Sequence, residues 1–201
     1  MELTFIFQIA ILIFSVVIHE VSHGYAALLL GDRTAFYQGR LTLNPLRHLD
    51  PVGSLLIPLL SYILGGFIIG WAKPVPFNPY NLRNQRSGEA IVAAAGPLAN
   101  IAVALIFGLM IRFLPFTLPQ SFVDIAAVIV FINILLAVFN LVPIPPLDGS
   151  KILFSFLPFR SGARVFLERY GLILVFLFIF VLWRVVFPLV SYLFHLVTGL
   201  S

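Results

Sequence analysis

Residues 3–30 read LTFIFQIAILIFSVVIHEVSHGYAALLL. The run is apolar almost throughout and longer than the ~20 residues a helix needs to cross the hydrocarbon core of a bilayer. Three ionisable side chains, His19, Glu20 and His23, interrupt it within five positions. Such groups are costly inside a membrane span and mark function when they occur there. On a helix, residues four apart lie on one face, a turn apart. His19 and His23 can therefore present two imidazoles to a single Zn²⁺. Glu20, adjacent in sequence, can reach a water at that metal as general base, the HExxH arrangement. Ser15, Ser22, Ala26 and Ala27 surround this face with small side chains that let other helices approach.

Further runs fall at about 51–72, 89–114, 121–142 and 166–198. The chain is 61% hydrophobic and 10% charged, with a mean hydropathy of +1.08. That leaves too little polar surface to cover a water-soluble globule. The expected class is an all-α polytopic membrane bundle, with a single domain over 1–201. Runs 3–30, 89–114, 121–142 and 166–198 are expected to span. Cysteine is absent. The net charge of +4 lies in loops between apolar runs, which argues topology and not nucleic-acid binding. No basic n-region precedes the first run, so no cleavable signal is expected.

Run 51–72 contains Pro58 and Gly65-Gly66, which break helices. Segments 31–50 (Arg33, Arg40, Arg47), 73–88 (Lys73, Arg83, Arg86) and 143–169 (Lys151, Arg160, Arg164, Arg169) are basic. All three share one side only if 51–72 enters and returns. The positive-inside rule favours that re-entrant or broken hairpin, with the basic loops cytoplasmic and the N-terminus outside. Thr34–Asn44 has the composition of a short β stretch, and Lys73–Pro79 that of an extended edge. A strand at 34–44 would offer an edge to an unwound substrate.

A catalytic zinc takes three protein ligands and keeps one position open. Glu2, Asp32, His48, Asp50, Glu89, Asp124, Asp148, Glu168 and His195 are the remaining candidates. Asp148 stands out because Pro143, Pro145 and Pro146 forbid a regular helix before it, and unwound backbone at membrane depth belongs where it lines a cavity. The other reading makes Asp148 the N-cap of the next helix. Asn140, just before the prolines, could donate to a developing oxyanion or bond between helices. Gly96-Pro97 reads as close helix packing with a kink; Asn100 could bond the backbone freed by the proline or line the cavity. His48 reads first as a loop histidine facing water, with support of the site or a substrate contact as the alternative, and Asn133 reads as an interhelical hydrogen bonder.

HEVSH in the first helix, Gly96-Pro97-Leu98-Ala99-Asn100 in a later one and NLVPIPPLDG at 140–149 resemble the site-2 protease (peptidase M50) family of intramembrane zinc metalloproteases. The likeness covers about residues 10–155 and is to the compact subgroup without PDZ or CBS domains. It implies one Zn²⁺ per chain on His19, His23 and Asp148, with Glu20 as base. It also implies membrane-spanning protein or peptide substrates cut within or near their spans. The location implied is a cell membrane, multi-pass, with the active site toward the cytoplasm. The rival class is a zinc-binding membrane protein or metal transporter. That class would need polar residues along a continuous path, whereas the ionisable ones inside the runs are few (His19, Glu20, His23, Arg184 and His195) and include no second acidic site.

Overall fold

The computed structural model describes residues 2–57, 60, 63, 72–114 and 118–200. Among the described residues, the α-helices are α1 (Glu2–Leu29), α2 (Thr34–Tyr37), α3 (Gln85–Phe113), α4 (Gln120–Asn140), α5 (Asp148–Phe156), α6 (Gly162–Leu177) and α7 (Trp183–Thr198). Three helical stretches among the described residues, Ile6–Leu29, Gln85–Phe113 and Gln120–Asn140, are long and apolar enough to cross a membrane. The chain is a multi-pass membrane protein.

The last apolar run, expected as one span, is bent by 69° between Gly162–Val181 and Val186–Thr198. A π-helical stretch, Phe178–Leu182, lies at the break. Pro188 inside α7 also removes the N–H that would bond the Arg184 carbonyl. The hairpin expected at 51–72 lies largely outside the described residues. Its described start, Pro51–Leu56, is a π-helical turn capped by Asp50, which accepts from Val52 N–H at 2.9 Å and Gly53 N–H at 2.7 Å.

Sequence periodicity explains how the spans meet. In α1, Ser15, His19, His23 and Ala27 recur every four residues and are all buried, whereas Phe7, Phe14, Tyr25 and Leu29 are exposed. In α3, Val92, Gly96, Asn100, Ala104 and Gly108 form the matching buried stripe. Lipid is as apolar as leucine, so burial alone does not drive these helices together. Small side chains instead allow close approach, dense contact and interhelical hydrogen bonds. Ala104 and Ile111 join Ala126, Val130 and Ile134 of α4 and Val190 of α7 in the main apolar core.

No strand occurs among the described residues, so the β stretch expected at 34–44 is not formed. Local hydrogen bonding outcompetes the strand composition there. The Asp32 carboxylate accepts from Thr34 N–H at 3.1 Å and Thr34 Oγ1 at 2.6 Å, which starts the turn α2. Gly39, at φ 60°, ends it. Arg40 N–H then reaches the Ala35 carbonyl at 2.9 Å and Gly39 N–H the Phe36 carbonyl at 3.0 Å, a Schellman closure. Phe36 and Tyr37 are exposed, as aromatic residues at a membrane–water boundary are.

Asp32 also accepts from Asn78 N–H at 2.7 Å and Asn81 Nδ2 at 2.8 Å, tying the 73–81 segment to the end of α1. Burial raises the pKa of this carboxyl, but the bonds from Thr34, Asn81 and Asn78 outweigh it and hold the pKa below its ordinary value. The folded pKa is thus below the unfolded value of about 3.9. The stabilisation is complete above that value and is lost as pH falls through the folded pKa. Asp32→Asn is expected to cost about 1.5–3 kcal/mol locally. Hydrogen exchange at Asn78 and Thr34 N–H should then speed up at neutral pH. Unchanged exchange would mean the carboxylate is not the anchor.

Candidate metal centre

His19 and His23 lie on the inner face of α1, with ring centroids 4.6 Å apart and planes at 86°. Both are buried, as is Asp148. His19 Nε2 is 3.0 Å and His23 Nε2 3.2 Å from Asp148 Oδ2. These three are the His/Asp/Glu/Cys group among the described residues whose ligand atoms could share a metal ion, all within 4.8 Å of one another. Donors about 2.05 Å from a tetrahedral ion sit roughly 3.3 Å apart. The spacing therefore fits such an ion after small adjustments.

Hydrogen bonds on the far side of each ring decide which nitrogen is free. His23 Nδ1 lies 2.7 Å from the Val92 carbonyl, which can only accept, so Nδ1 carries the proton. His19 Nδ1 lies 2.6 Å from Asn100 Oδ1. Asn100 Nδ2 donates to the Ser15 carbonyl at 3.2 Å and to Asn133 Oδ1 at 2.7 Å. Asn133 Nδ2 in turn donates to Ser15 Oγ at 2.9 Å and the Ile129 carbonyl at 2.9 Å. Each amide orientation is fixed by the acceptors around it, and His19 Nδ1 must donate. In the neutral rings both Nε2 lone pairs then face a carboxylate oxygen. That arrangement repels unless a cation lies between, and orienting bonds of this kind are usual behind metal-bound histidines.

One face of α3 supplies much of this surround. Val92, Gly96 and Asn100 follow at four-residue intervals: a carbonyl behind His23, a gap, and an amide behind His19. A Cβ at Gly96 would lie 2.5 Å from His23 Nε2 and 2.6 Å from His19 Nε2. Glycine at 96 is therefore what leaves room for the imidazoles to converge.

Asp148 reaches the site because the chain doubles back after α4. Pro145–Pro146 is cis, and α5 begins directly at Asp148. Leu147, not Asp148, is the N-cap residue, and the Asp148 carboxylate turns to the histidines instead. A Cβ at Gly149 would collide with the Leu141 carbonyl oxygen and lie 2.6 Å from the Val142 carbonyl oxygen, so glycine after Asp148 lets α5 start against the end of α4. Lys151, one turn on, lies 4.0 Å from Asp148 Oδ1 and over the Phe77 ring.

Glu20 Oε2 accepts from Val75 N–H at 2.8 Å. Asn140, the last residue of α4, donates through Nδ2 to the Leu136 carbonyl at 2.9 Å. The structure gives it no direct bond to the three clustered side chains. His48 is not water-facing as expected. It is 1% exposed, and Nε2 lies 2.8 Å from the Thr42 carbonyl, so it braces its own loop. Val92 could not have been found from sequence, since its contribution is a carbonyl. Gly96 and Asn100 carried a signal in their four-residue spacing.

The model of peptidase family M50 matches residues 116–183, a stretch that includes Asp148 but not His19 or His23. The chain is 39% identical over 184 residues to "Putative zinc metalloprotease YwhC" of Bacillus subtilis, over 85% of this chain and 78% of that protein. It is 34% identical over 145 residues to "Putative zinc metalloprotease Rip2" of Mycolicibacterium smegmatis. To the protein of that name from Mycobacterium tuberculosis it is 32% identical over 145 residues. Each Rip2 alignment covers 72% of this chain and 55% of the relative, so the chain spans little more than half the length of those two. No solved structure matches the chain. Likeness to YwhC along most of both sequences establishes the family: the chain belongs to peptidase family M50, the site-2 proteases.

Proposed function

We propose that this protein is an intramembrane zinc metalloprotease that hydrolyses peptide bonds within or near the transmembrane segments of other membrane proteins. The observation that carries the reading is the meeting of two imidazole Nε2 atoms and one carboxylate oxygen at 3.0 and 3.2 Å inside an apolar bundle. His19, His23 and Asp148 are the ligands in this reading, and family relatives named as zinc metalloproteases support zinc as the ion.

When bound, zinc supplies a Lewis acid for the scissile carbonyl and a lowered pKa for the attacking water. The protein's own groups do the rest. Glu20, about 100° around α1 from His19, accepts the water proton and passes it to the leaving amine. Val75 N–H holds one Glu20 oxygen, which leaves the other for the proton. Asn140 has a second amide hydrogen beyond the one bound to Leu136, and this hydrogen is assigned to the developing oxyanion. A substrate helix has its peptide bonds shielded, so it must unwind locally before it can be cut. The histidines lie in the last turns of α1, just ahead of the basic segment 31–50. The positive-inside rule therefore sets the site toward the cytoplasmic side.

Purified protein should cleave members of a panel of single-span substrates, and a zinc chelator should stop it. Glu20→Gln should lose cleavage by about 10²–10⁴-fold while one zinc per chain remains. Cleavage that survives both the chelator and Glu20→Gln would refute the mechanism.

The surround of the ligands makes a separate expectation. Asn100→Leu removes the acceptor behind His19 and should weaken zinc binding about 10–100-fold. Gly96→Ala, which drives a methyl between the rings, should weaken it further. Competition against a chromophoric chelator measures both. Wild-type affinity in Gly96→Ala would show that the imidazoles do not need that space.

A further inference from the structure

The extended stretch Lys73–Asn78 crosses α1 directly at Glu20. Pro74 and Pro76 have no N–H, so between positions 74 and 76 only Val75 can donate. That single donor is used on Glu20 Oε2 at 2.8 Å. A residue preceding proline is confined to extended backbone, which fixes the direction of the Val75 N–H. The Val75 side chain is 5% exposed and sits in the notch at Gly24, one turn beyond Glu20. A Cβ at Gly24 would come 2.8 Å from Val75 Cγ1.

The stretch is tied down on both sides of Val75. Arg40, 6% exposed, donates through Nη2 to the Lys73 carbonyl at 2.8 Å and the Pro74 carbonyl at 3.3 Å. Lys73 N–H reaches the His48 carbonyl at 2.8 Å. At the other end, Asn78 N–H is held by Asp32 at 2.7 Å. Burying a guanidinium is expensive without anionic compensation. Burial lowers the Arg40 pKa below its ordinary value, and the nearby Glu20 charge offsets only part of that cost. The prolines make the stretch a poor edge for pairing a substrate strand, so its fixed geometry needs another purpose.

We infer that Lys73–Asn78 is a positioning strap for Glu20, in which Val75 N–H orients the carboxylate and Arg40 is a positioning residue that holds Val75 through the Lys73 and Pro74 carbonyls. The inference rests on Glu20 acting as the base. Its role is to hold Oε2 still, so that the remaining oxygen meets the water proton in one orientation.

Val75→Pro deletes the N–H and puts the ring Cδ where that hydrogen pointed, so Glu20 Oε2 loses its donor and must move away. With zinc content and KM unchanged, kcat should fall on the order of 10–100-fold. Val75→Ala keeps the N–H and loses the apolar contact; its kcat should stay about tenfold above that of Val75→Pro. Arg40→Met should behave like Val75→Pro, with Arg40→Lys between it and wild type. A readout independent of cleavage is the infrared carboxylate band of Glu20, isolated in ¹³C-glutamate-labelled protein by subtraction of the E20Q spectrum. That band should shift in Val75→Pro and Arg40→Met and stay in place in Val75→Ala. A band unmoved in Val75→Pro, a wild-type kcat in that variant, or equal damage in Val75→Ala would overturn the strap. If wild type and E20Q cleave alike, the base assignment fails instead, and the infrared band still decides the strap.

Discussion

Two unprotonated imidazole nitrogens and a carboxylate oxygen, held about 3 Å apart away from bulk water, repel one another unless a positive charge lies among them. Much of the described fold creates and maintains that arrangement. The inward face of α1 carries both rings. The small residues of α3 let it come close enough to place a carbonyl and an amide behind them. The proline segment after α4 returns the chain so that Asp148 meets a helix more than a hundred residues earlier in sequence. None of these parts is local to another. A bound cation is what links their separate costs into one favourable term.

The same requirement explains the polar residues buried in an otherwise apolar bundle. Asn100 and Asn133 are fully buried, and with Ser15 they satisfy one another. As helix-to-helix glue such bonds average only about 0.6 kcal/mol. Their larger consequence is chemical: donation runs from His19 to Asn100 of α3 and on to Asn133 of α4, which fixes the His19 tautomer. Outside the spans, Asp32, Arg40 and His48 do comparable work on loop backbone. They tie residues 40–48 and 73–81 together beside Glu20.

Some of this was legible in the sequence. The period-four face of α1 and the HEVSH spacing follow from helix geometry and hydropathy; the proline segment singled out Asp148 without excluding a capping role, and the likeness to site-2 proteases completed the set of three side chains that the structure brings together. Other features depend on contacts that no local pattern encodes. Thr34–Asn44 has strand composition, yet the Asp32 carboxylate and Gly39 close it into a helical turn. His48 sits in a polar loop and is nevertheless buried, because its loop folds onto the 73–75 backbone. The last apolar run looks like one span until the π-helical stretch and Pro188 bend it. Val75 contributes only an N–H, so its contact with Glu20 carries no side-chain signature. Its flanking prolines were readable as extended chain, but not as chain laid across α1.

The most direct measurement is X-ray absorption at the zinc edge on the purified protein, with Asp148→Ala alongside. The account predicts one zinc per wild-type chain, four-coordinate, with two imidazole nitrogens and oxygen donors at about 2.0–2.1 Å, and a lost or altered oxygen shell in Asp148→Ala. A wild-type chain that binds no zinc, or a zinc whose shell lacks the two imidazoles or is unchanged without Asp148, would contradict it.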